Sequence, residues 1–298
     1  MPPLILTGAS GWFGRVALWE YEQLMGPDAL RNDVIACAST QKEIDICSPL
    51  GPVMAVPLED VLKVESISGV LHLAFLTREH ISAFGVSRYV YENKRIASLA
   101  DSLIRSNPGI PIITTSSGAA APRDQGAVSV EQDPYGVLKK NEEDLWRAYS
   151  VDRPAIVFRV YAATGRFMKT PHAFALGDFI ASAQSGKQLV VKSNRPVYRS
   201  YVNVGCLMRL CWKILMGSNC CGYRQIDACT HTLSLHCLAR IISSMWNLPA
   251  PVAQIDSMAP PDRYVGDPSD FLALAQEYNL QIPSLQDQIW ETSSDICG

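Results

Sequence analysis

No segment of the chain approaches 18 uncharged apolar residues, and the nearest candidate, Val202 to Met216, is interrupted by Arg209 and Lys213. That pattern excludes a membrane-spanning helix and predicts an amphipathic one. Charge is scarce as well: 18% of the 298 residues are charged, with 26 basic against 29 acidic and a formal net charge of −3. Without a basic excess or a polybasic run, the chain lacks the electrostatic footprint of a nucleic-acid or membrane-surface binder. The start, Met1-Pro2-Pro3 running straight into Leu4-Ile5-Leu6, has no basic region ahead of a long apolar core. No secretory leader is expected there, and the reading is a soluble, cytoplasmic protein. C-x-x-C pairs are missing too, although there are nine cysteines. Six of them (Cys206, Cys211, Cys220, Cys221, Cys229, Cys237) fall together, with His231 and His236 among them at no zinc-like spacing. No metal site is expected, and the thiols read as small buried hydrophobes in a reducing compartment.

What is present is an ordinary globular composition, 48% hydrophobic, in a chain long enough to hide roughly 75% of its unfolded surface. Short apolar runs alternate with helical patterns over the first 165 residues. Strands are predicted at Leu4-Ile5-Leu6, Asp33 to Ala38, weakly at Val53 to Val56, and at Val70 to Phe75, Ile110 to Thr115 and Ala155 to Phe158. Helices are predicted from the glycine-rich turn to about Leu24, at Tyr89 to Ser106 (stopped by Asn107-Pro108-Gly109) and from Tyr135 to about Ser150. Such alternation predicts an α/β fold, a Rossmann-type doubly wound parallel sheet covered on both faces. Beyond Gly165 the pattern turns irregular, with strands at Leu189 to Val191 and Ser200 to Val204 and helices at Phe174 to Gln184, Val204 to Met216 and Leu233 to Trp246. The division expected is residues 1–165 as dinucleotide-binding domain and 166–298 as a smaller mixed α/β substrate-binding region.

The first strand ends in Thr7-Gly8-Ala9-Ser10-Gly11-Trp12-Phe13-Gly14. Glycines at 8, 11 and 14 between a strand and an amphipathic helix permit a tight turn and bring backbone N–H groups to a pyrophosphate at the helix's positive end. The second strand runs into Ala38-Ser39-Thr40-Gln41-Lys42, with no carboxylate before Glu43. An acid there would pair with the free ribose 2′-hydroxyl of NAD; hydroxyls such as Ser39, with a lysine, suit the 2′-phosphate of NADP. The reading is NADP or NAD, with NADP favoured.

Tyr135-Gly136-Val137-Leu138-Lys139 is the one Tyr-x-x-x-Lys in the chain. Positions i and i+4 share a helix face, so the lysine cation can approach the phenol and ease its proton exchange at neutral pH. Ser117, closing the preceding strand, can hydrogen-bond a substrate oxygen. His72, mid-strand among apolar residues, reads as a satisfied core histidine, and the other four histidines carry no assignment.

Ser117, Tyr135 and Lys139 after the glycine loop resemble the short-chain dehydrogenase/reductase superfamily. His72-Leu73-Ala74, Asn93, Thr115-Ser116-Ser117-Gly118, Pro134-Tyr135-Gly136 with Glu143, Arg159 to Gly165, and Arg199 to Val204 look like its extended branch, the NAD-dependent epimerase/dehydratase family acting on nucleotide sugars. The resemblance implies that Gly8, Gly11, Trp12, Phe13 and Gly14 bind the pyrophosphate, while Leu73, Ala74, Phe75, Asn93 and Tyr161 line the rest of the cofactor cleft. Ser117 would orient the substrate oxygen, Tyr135 exchange its proton, Lys139 hold the nicotinamide ribose and tune Tyr135, and Arg199 reach a substrate diphosphate. It also implies a homodimer through the 89–106 and 135–150 helices.

Three blocks depart from that pattern: Ala162 stands where the family has asparagine, Thr164 and Arg166 flank Gly165 in place of tyrosine and proline, and Gly205-Cys206 replaces an acidic pair. The Asp-Glu pair that dehydratase members carry after the strand-end hydroxyl is replaced by Gly118-Ala119-Ala120, which disfavours water elimination. The expectation is an NAD(P)-dependent oxidoreductase that reduces or epimerises a nucleotide-activated sugar. The alternatives are the same chemistry on a non-sugar carbonyl, or a non-catalytic NAD(P)-binding regulator.

Overall fold

The computed structural model describes residues 2–124, 126, 128–150, 154–168, 170–217 and 222–296. Along the chain the elements begin with β1 (Leu4–Thr7), α1 (Trp12–Met25), α2 (Pro27–Asp33), β2 (Val34–Ala38), β3 (Lys42–Ile44), β4 (Val53–Pro57), α3 (Leu58–Val61) and β5 (Gly69–His72). They continue with α4 (His80–Phe84), α5 (Val86–Ser106), β6 (Ile112–Ser117), α6 (Pro134–Tyr149), β7 (Ala155–Val160), β8 (Ala162–Thr164), α7 (Ala175–Gln184) and β9 (Val190–Val191). The rest are β10 (Val197–Asn203), α8 (Val204–Met216), β11 (Tyr223–Ala228), β12 (His231–Ser234), α9 (Leu235–Met245), β13 (Val252–Ala253), β14 (Asp262–Tyr264), α10 (Ser269–Glu277) and α11 (Leu285–Ser294). Two compact units result: Met1–Arg159 with Met208–Ile226, and Val160–Leu207 with Asp227–Gly298.

The first unit is built on an eight-stranded sheet of order β11-β7-β6-β5-β1-β2-β4-β3. β1 lies between β2 and β5 and is parallel to both, with Leu4 opposite Val34 on one side and Gly69 on the other. β5 and β6 are parallel, as are β2 and β4, whereas β3 pairs with β4 antiparallel. All four residues of β1 are buried, which explains why it reads as a continuous apolar run rather than an alternation. The chain order reverses between β1 and β5, so the crevice beyond their carboxyl ends is where a doubly wound sheet binds ligands.

The period-2 alternation of strands assigns the two faces. Ile5, Val70 and Ile112 pack with Ala100, Leu103 and Ile104 of α5 and Trp146 of α6. The next residues along point the other way: a Cβ on Gly69 would lie 3.1 Å from Leu215 of α8 and 3.3 Å from Leu4. On that face the Trp212 indole donates to the Ala17 carbonyl of α1 at 2.7 Å and meets Tyr21 edge-on at 5.1 Å. The predicted helix at 202–216 is therefore the buried cover of one sheet face, and among the described residues no helix is long and apolar enough to cross a membrane.

In the second unit β10 is the centre, pairing antiparallel with β12 and parallel with β14 and β8, while β9 and β13 form a separate parallel pair. The α11 helix is fixed by polar contacts: Thr164 donates to Gln288 at 2.8 Å, and the Gly165 N–H donates to the Thr292 hydroxyl at 2.8 Å. The helix expected from Leu233 starts instead at Leu235, because residues 231–234 are held as strand by β10; Ser234 then caps the helix by accepting from the Cys237 N–H. Cys37, Cys206, Cys211 and Cys229 are buried, whereas Cys237 is exposed, unlike the buried thiols expected. Burial pushes the thiols of Cys37 and Cys229 up to about 12, so both stay protonated. Cys220 and Cys221 lie outside the described residues, among which no group of histidine, cysteine and carboxylate side chains could hold a metal ion.

Candidate active site

At the end of β1 the chain turns left-handed at Gly8 (φ +70°), where a Cβ would lie 2.6–2.7 Å from the backbone of Leu73 and Ala74. The Gly11 N–H donates to the Gly8 carbonyl at 2.9 Å. A Cβ on Gly14 would meet the same carbonyl at 2.2 Å, so only glycine lets α1 start this close to the strand. Gly11 caps α1 without a side-chain hydrogen bond, and no acid stands in the first turn. Nothing acidic there offsets the positive end of the helix dipole, as a bound pyrophosphate requires. Trp12 and Phe13 meet edge-to-face at 5.5 Å beside the turn.

The loop after β5 is sewn to this turn. The Thr7 hydroxyl oxygen accepts from the N–H groups of Leu73 and Ala74, both at 3.1 Å. Asn93 of α5 is buried and clamps the same loop, accepting from the Leu76 N–H at 2.8 Å and donating to the Leu76 and Tyr89 carbonyls. The structure thus brings Gly8, Leu73 and Ala74 together, with Asn93 shaping the loop through its backbone. At the end of β2, Ser39 and Thr40 are exposed and Lys42 opens β3.

Ser117 ends β6, and Tyr135 lies in the first turn of α6, whose start is fixed by Pro134 and by Asp133 accepting from the Gly136 N–H. The Tyr135 phenol hydrogen-bonds with the Ser117 hydroxyl. Burial raises its pKa above the ordinary tyrosine value; the Ser117 bond and the Arg78 cation pull the other way. Arg78 lies 5.0 Å from the centre of the Tyr135 ring, and Phe75 meets that ring edge-on at 5.8 Å. One turn later the Lys139 ammonium donates to the Thr115 carbonyl at 2.9 Å and to Glu142 at 3.1 Å, and sits 3.7 Å over the Phe75 ring.

Two buried residues behind this group extend it. Glu142 contacts Lys139 with Oε2 and His72 Nε2 with Oε1 at 3.0 Å, the latter contact short but bent away from good hydrogen-bond alignment. Burial is the largest influence on Glu142 and raises its pKa, yet Lys139 and His72 together carry it below the ordinary carboxylate value. His72 is a hydrogen-bonded core histidine, since Thr7 Oγ1 lies 2.8 Å from its Nδ1, but it also touches the candidate site through Glu142. Sequence reasoning missed Glu142; its only local signal is the i+3 spacing from Lys139 on an inward helix face. Next to it, Glu143 forms a buried two-pronged ion pair with Arg159 at 2.8 and 2.7 Å and accepts from Ser116 at 2.6 Å.

Tyr161 and Arg199 lie in the second unit. The Tyr161 phenol donates to Asp227 at 3.0 Å, and Gly266 gives the ring room, since a Cβ there would lie 2.4 Å from it. Arg199 donates to Asp262 at 2.9 Å and to the Tyr198 carbonyl at 2.8 Å. The bond to Arg199 holds the Asp262 carboxyl below its usual range.

No family model and no curated protein matches this sequence. Solved structures do match along the whole chain. The UDP-glucuronic acid 4-epimerase of Bacillus cereus, in complex with UDP-glucuronic acid and NAD, aligns over 99% of both chains at a TM-score of 0.72 and 18% identity. A UDP-N-acetylglucosamine 4-epimerase from Methanobrevibacter ruminantium M1, in complex with UDP-N-acetylmuramic acid, aligns over 99% of this chain and 98% of its own, with a TM-score of 0.71 and 19% identity. RMD from Pseudomonas aeruginosa complexed with NADPH aligns over 99% and 100%, with a TM-score of 0.67 and 17% identity. The fold is therefore the Rossmann-like α/β fold that these nucleotide-sugar epimerases have.

Proposed function

We propose that the chain is an NAD(P)-dependent oxidoreductase that reduces or epimerises a carbon centre of a nucleoside diphosphate sugar. The observation that carries the reading is the meeting of Ser117, Tyr135 and Lys139 at the carboxyl end of β6, in the same unit as a glycine turn that leaves no room for a Cβ. A bound nicotinamide supplies or accepts the hydride. Ser117 orients the substrate oxygen, Tyr135 passes a proton to or from it, and Lys139 holds the nicotinamide ribose. Gly8, Gly11, Trp12, Phe13 and Gly14 cradle the pyrophosphate, with Leu73, Ala74, Phe75, Asn93 and Tyr161 around the rest of the dinucleotide. Arg199 reaches the substrate diphosphate by sharing its guanidinium with Asp262. Exposed Ser39 and nearby Lys42, with no carboxylate between them, favour NADP; the absence of an acid after Ser117 favours a reductase or epimerase over a dehydratase. Working as a homodimer is part of the same reading.

Replacing Tyr135 by phenylalanine tests it. The variant is expected to lose turnover by roughly a hundredfold or more while binding the dinucleotide almost as before; wild-type rates at saturating substrate would refute the assignment. A second reading keeps the chemistry on a non-sugar carbonyl, favoured by Ala162, Gly205 and Cys206 in place of sugar-site residues and by Arg199 already holding Asp262. A thermal shift on adding a nucleoside diphosphate sugar, or such a sugar retained in crystals, counts against it.

A further inference from the structure

Behind the phenol lies a directional chain of buried groups. Thr7 Oγ1 accepts two backbone N–H bonds, from Leu73 and Ala74, so its two lone pairs are occupied and its own proton must serve His72 Nδ1, 2.8 Å away. His72 Nδ1 is therefore an acceptor and Nε2 carries the ring proton, 3.0 Å from the Glu142 carboxylate but bent away from hydrogen-bond alignment. The other oxygen of Glu142 meets the Lys139 ammonium at 3.1 Å. Lys139 also donates to the Thr115 carbonyl and lies over the face of Phe75. His72, Glu142 and Lys139 are all buried, where little solvent screens one charge from another.

We propose that Glu142 is a positioning residue: it anchors Lys139 and offsets its charge, adding to burial in holding the proton on Tyr135. A phenol is the acid that must give its proton to the substrate oxygen when a carbonyl is reduced, and Glu142 adds to the burial that already favours that form. The inference rests on the assignment of Tyr135 made above. Among the other titratable groups around it, Tyr89 of α5 is a phenol whose pKa burial raises. Arg78 and Glu79 oppose one another at Tyr135, and Glu143 is satisfied by Arg159 and Ser116.

The experiment places a single fluorotyrosine at position 135 and follows its ionisation by fluorine NMR in the full-length protein, with circular dichroism to confirm folding. Glu142→Gln, which frees the lysine charge, is expected to lower the titration midpoint by about one pH unit, and Lys139→Met, which leaves the carboxylate alone, to raise it. The double variant, a neutral pair in place of a neutralised one, is expected to return close to the parent midpoint. A Glu142→Gln midpoint equal to the parent's would overturn the proposal, as would a double variant titrating with Lys139→Met. If Glu142→Gln fails to fold, the Lys139→Met and double variants decide between the two outcomes by themselves. No turnover is needed for this measurement, so failure of the Tyr135→Phe kinetic test and failure of the charge cycle are separate results.

Discussion

Two neighbouring hydroxyls on β6 show how finely single positions are specified. Ser117 meets the Tyr135 phenol at the start of α6, while Ser116 donates to Glu143 two turns further along the same helix, beside Arg159. Removing the charge of Glu143 takes the two-pronged ion pair away from the buried Arg159 guanidinium. Glu143→Gln is therefore expected to destabilise the fold by about 3–5 kcal/mol in chemical denaturation; a loss within experimental error would show the pair to be dispensable. The glycines divide just as sharply. Gly14→Ala forces a methyl onto the Gly8 carbonyl, and NADPH affinity, read by fluorescence titration, is expected to fall at least about tenfold, or ~1.4 kcal/mol. Gly26 also has positive φ (+92°) but nothing within 4 Å of a Cβ, so Gly26→Ala is expected to strain the backbone while leaving NADPH affinity unchanged. Equal losses in the two variants would deny the glycine turn its special role. Ser117, Tyr135, Lys139 and the glycine turn were legible in the sequence because spacing along one turn or one strand end carries their arrangement. Glu142 was not, because its partner His72 arrives from another strand and no local pattern joins them.

Elements whose cause is local were legible in the same way. The glycine turn starts α1, Pro134 and Asp133 start α6, and the apolar stripe of 204–216 marks α8. The short strands β8, β12 and β14 exist only through their pairing with β10, a non-local cause that periodicity does not carry, and the last two residues of β12, Leu233 and Ser234, accordingly read as helix. The seat of α6 on the sheet also has a pH signature. Because Glu142 has a depressed pKa in the folded chain, its stabilising contribution is fully present above the ordinary carboxylate pKa and is lost as pH falls through the lower, folded value. Urea midpoints should therefore decline as the solution is acidified below about pH 4, and the decline should be shallower in Glu142→Gln. Parallel acid curves for the two proteins would contradict the assigned ionisation.

At the scale of the molecule, the sheet order with its reversal between β1 and β5 places the glycine turn and the loop after β5 at one crevice, and Ser117 at the same carboxyl end of the sheet. Binding there should stabilise the folded chain by mass action. NADPH or NAD at a hundred times its dissociation constant is expected to add about 2.7 kcal/mol, and the dinucleotide giving the larger thermal shift at equal concentration identifies the preferred one. The central claim is hydride transfer assisted by the Tyr135 proton, and its most direct test is a single-turnover reaction with C4-deuterated NADPH and a panel of nucleoside diphosphate keto-sugars. The wild-type chain is predicted to move deuterium onto the substrate carbon, and the Tyr135→Phe variant, still binding NADPH, to move almost none. Equal transfer by both proteins, or no transfer to any member of the panel by a wild-type chain that binds both ligands, would contradict the account.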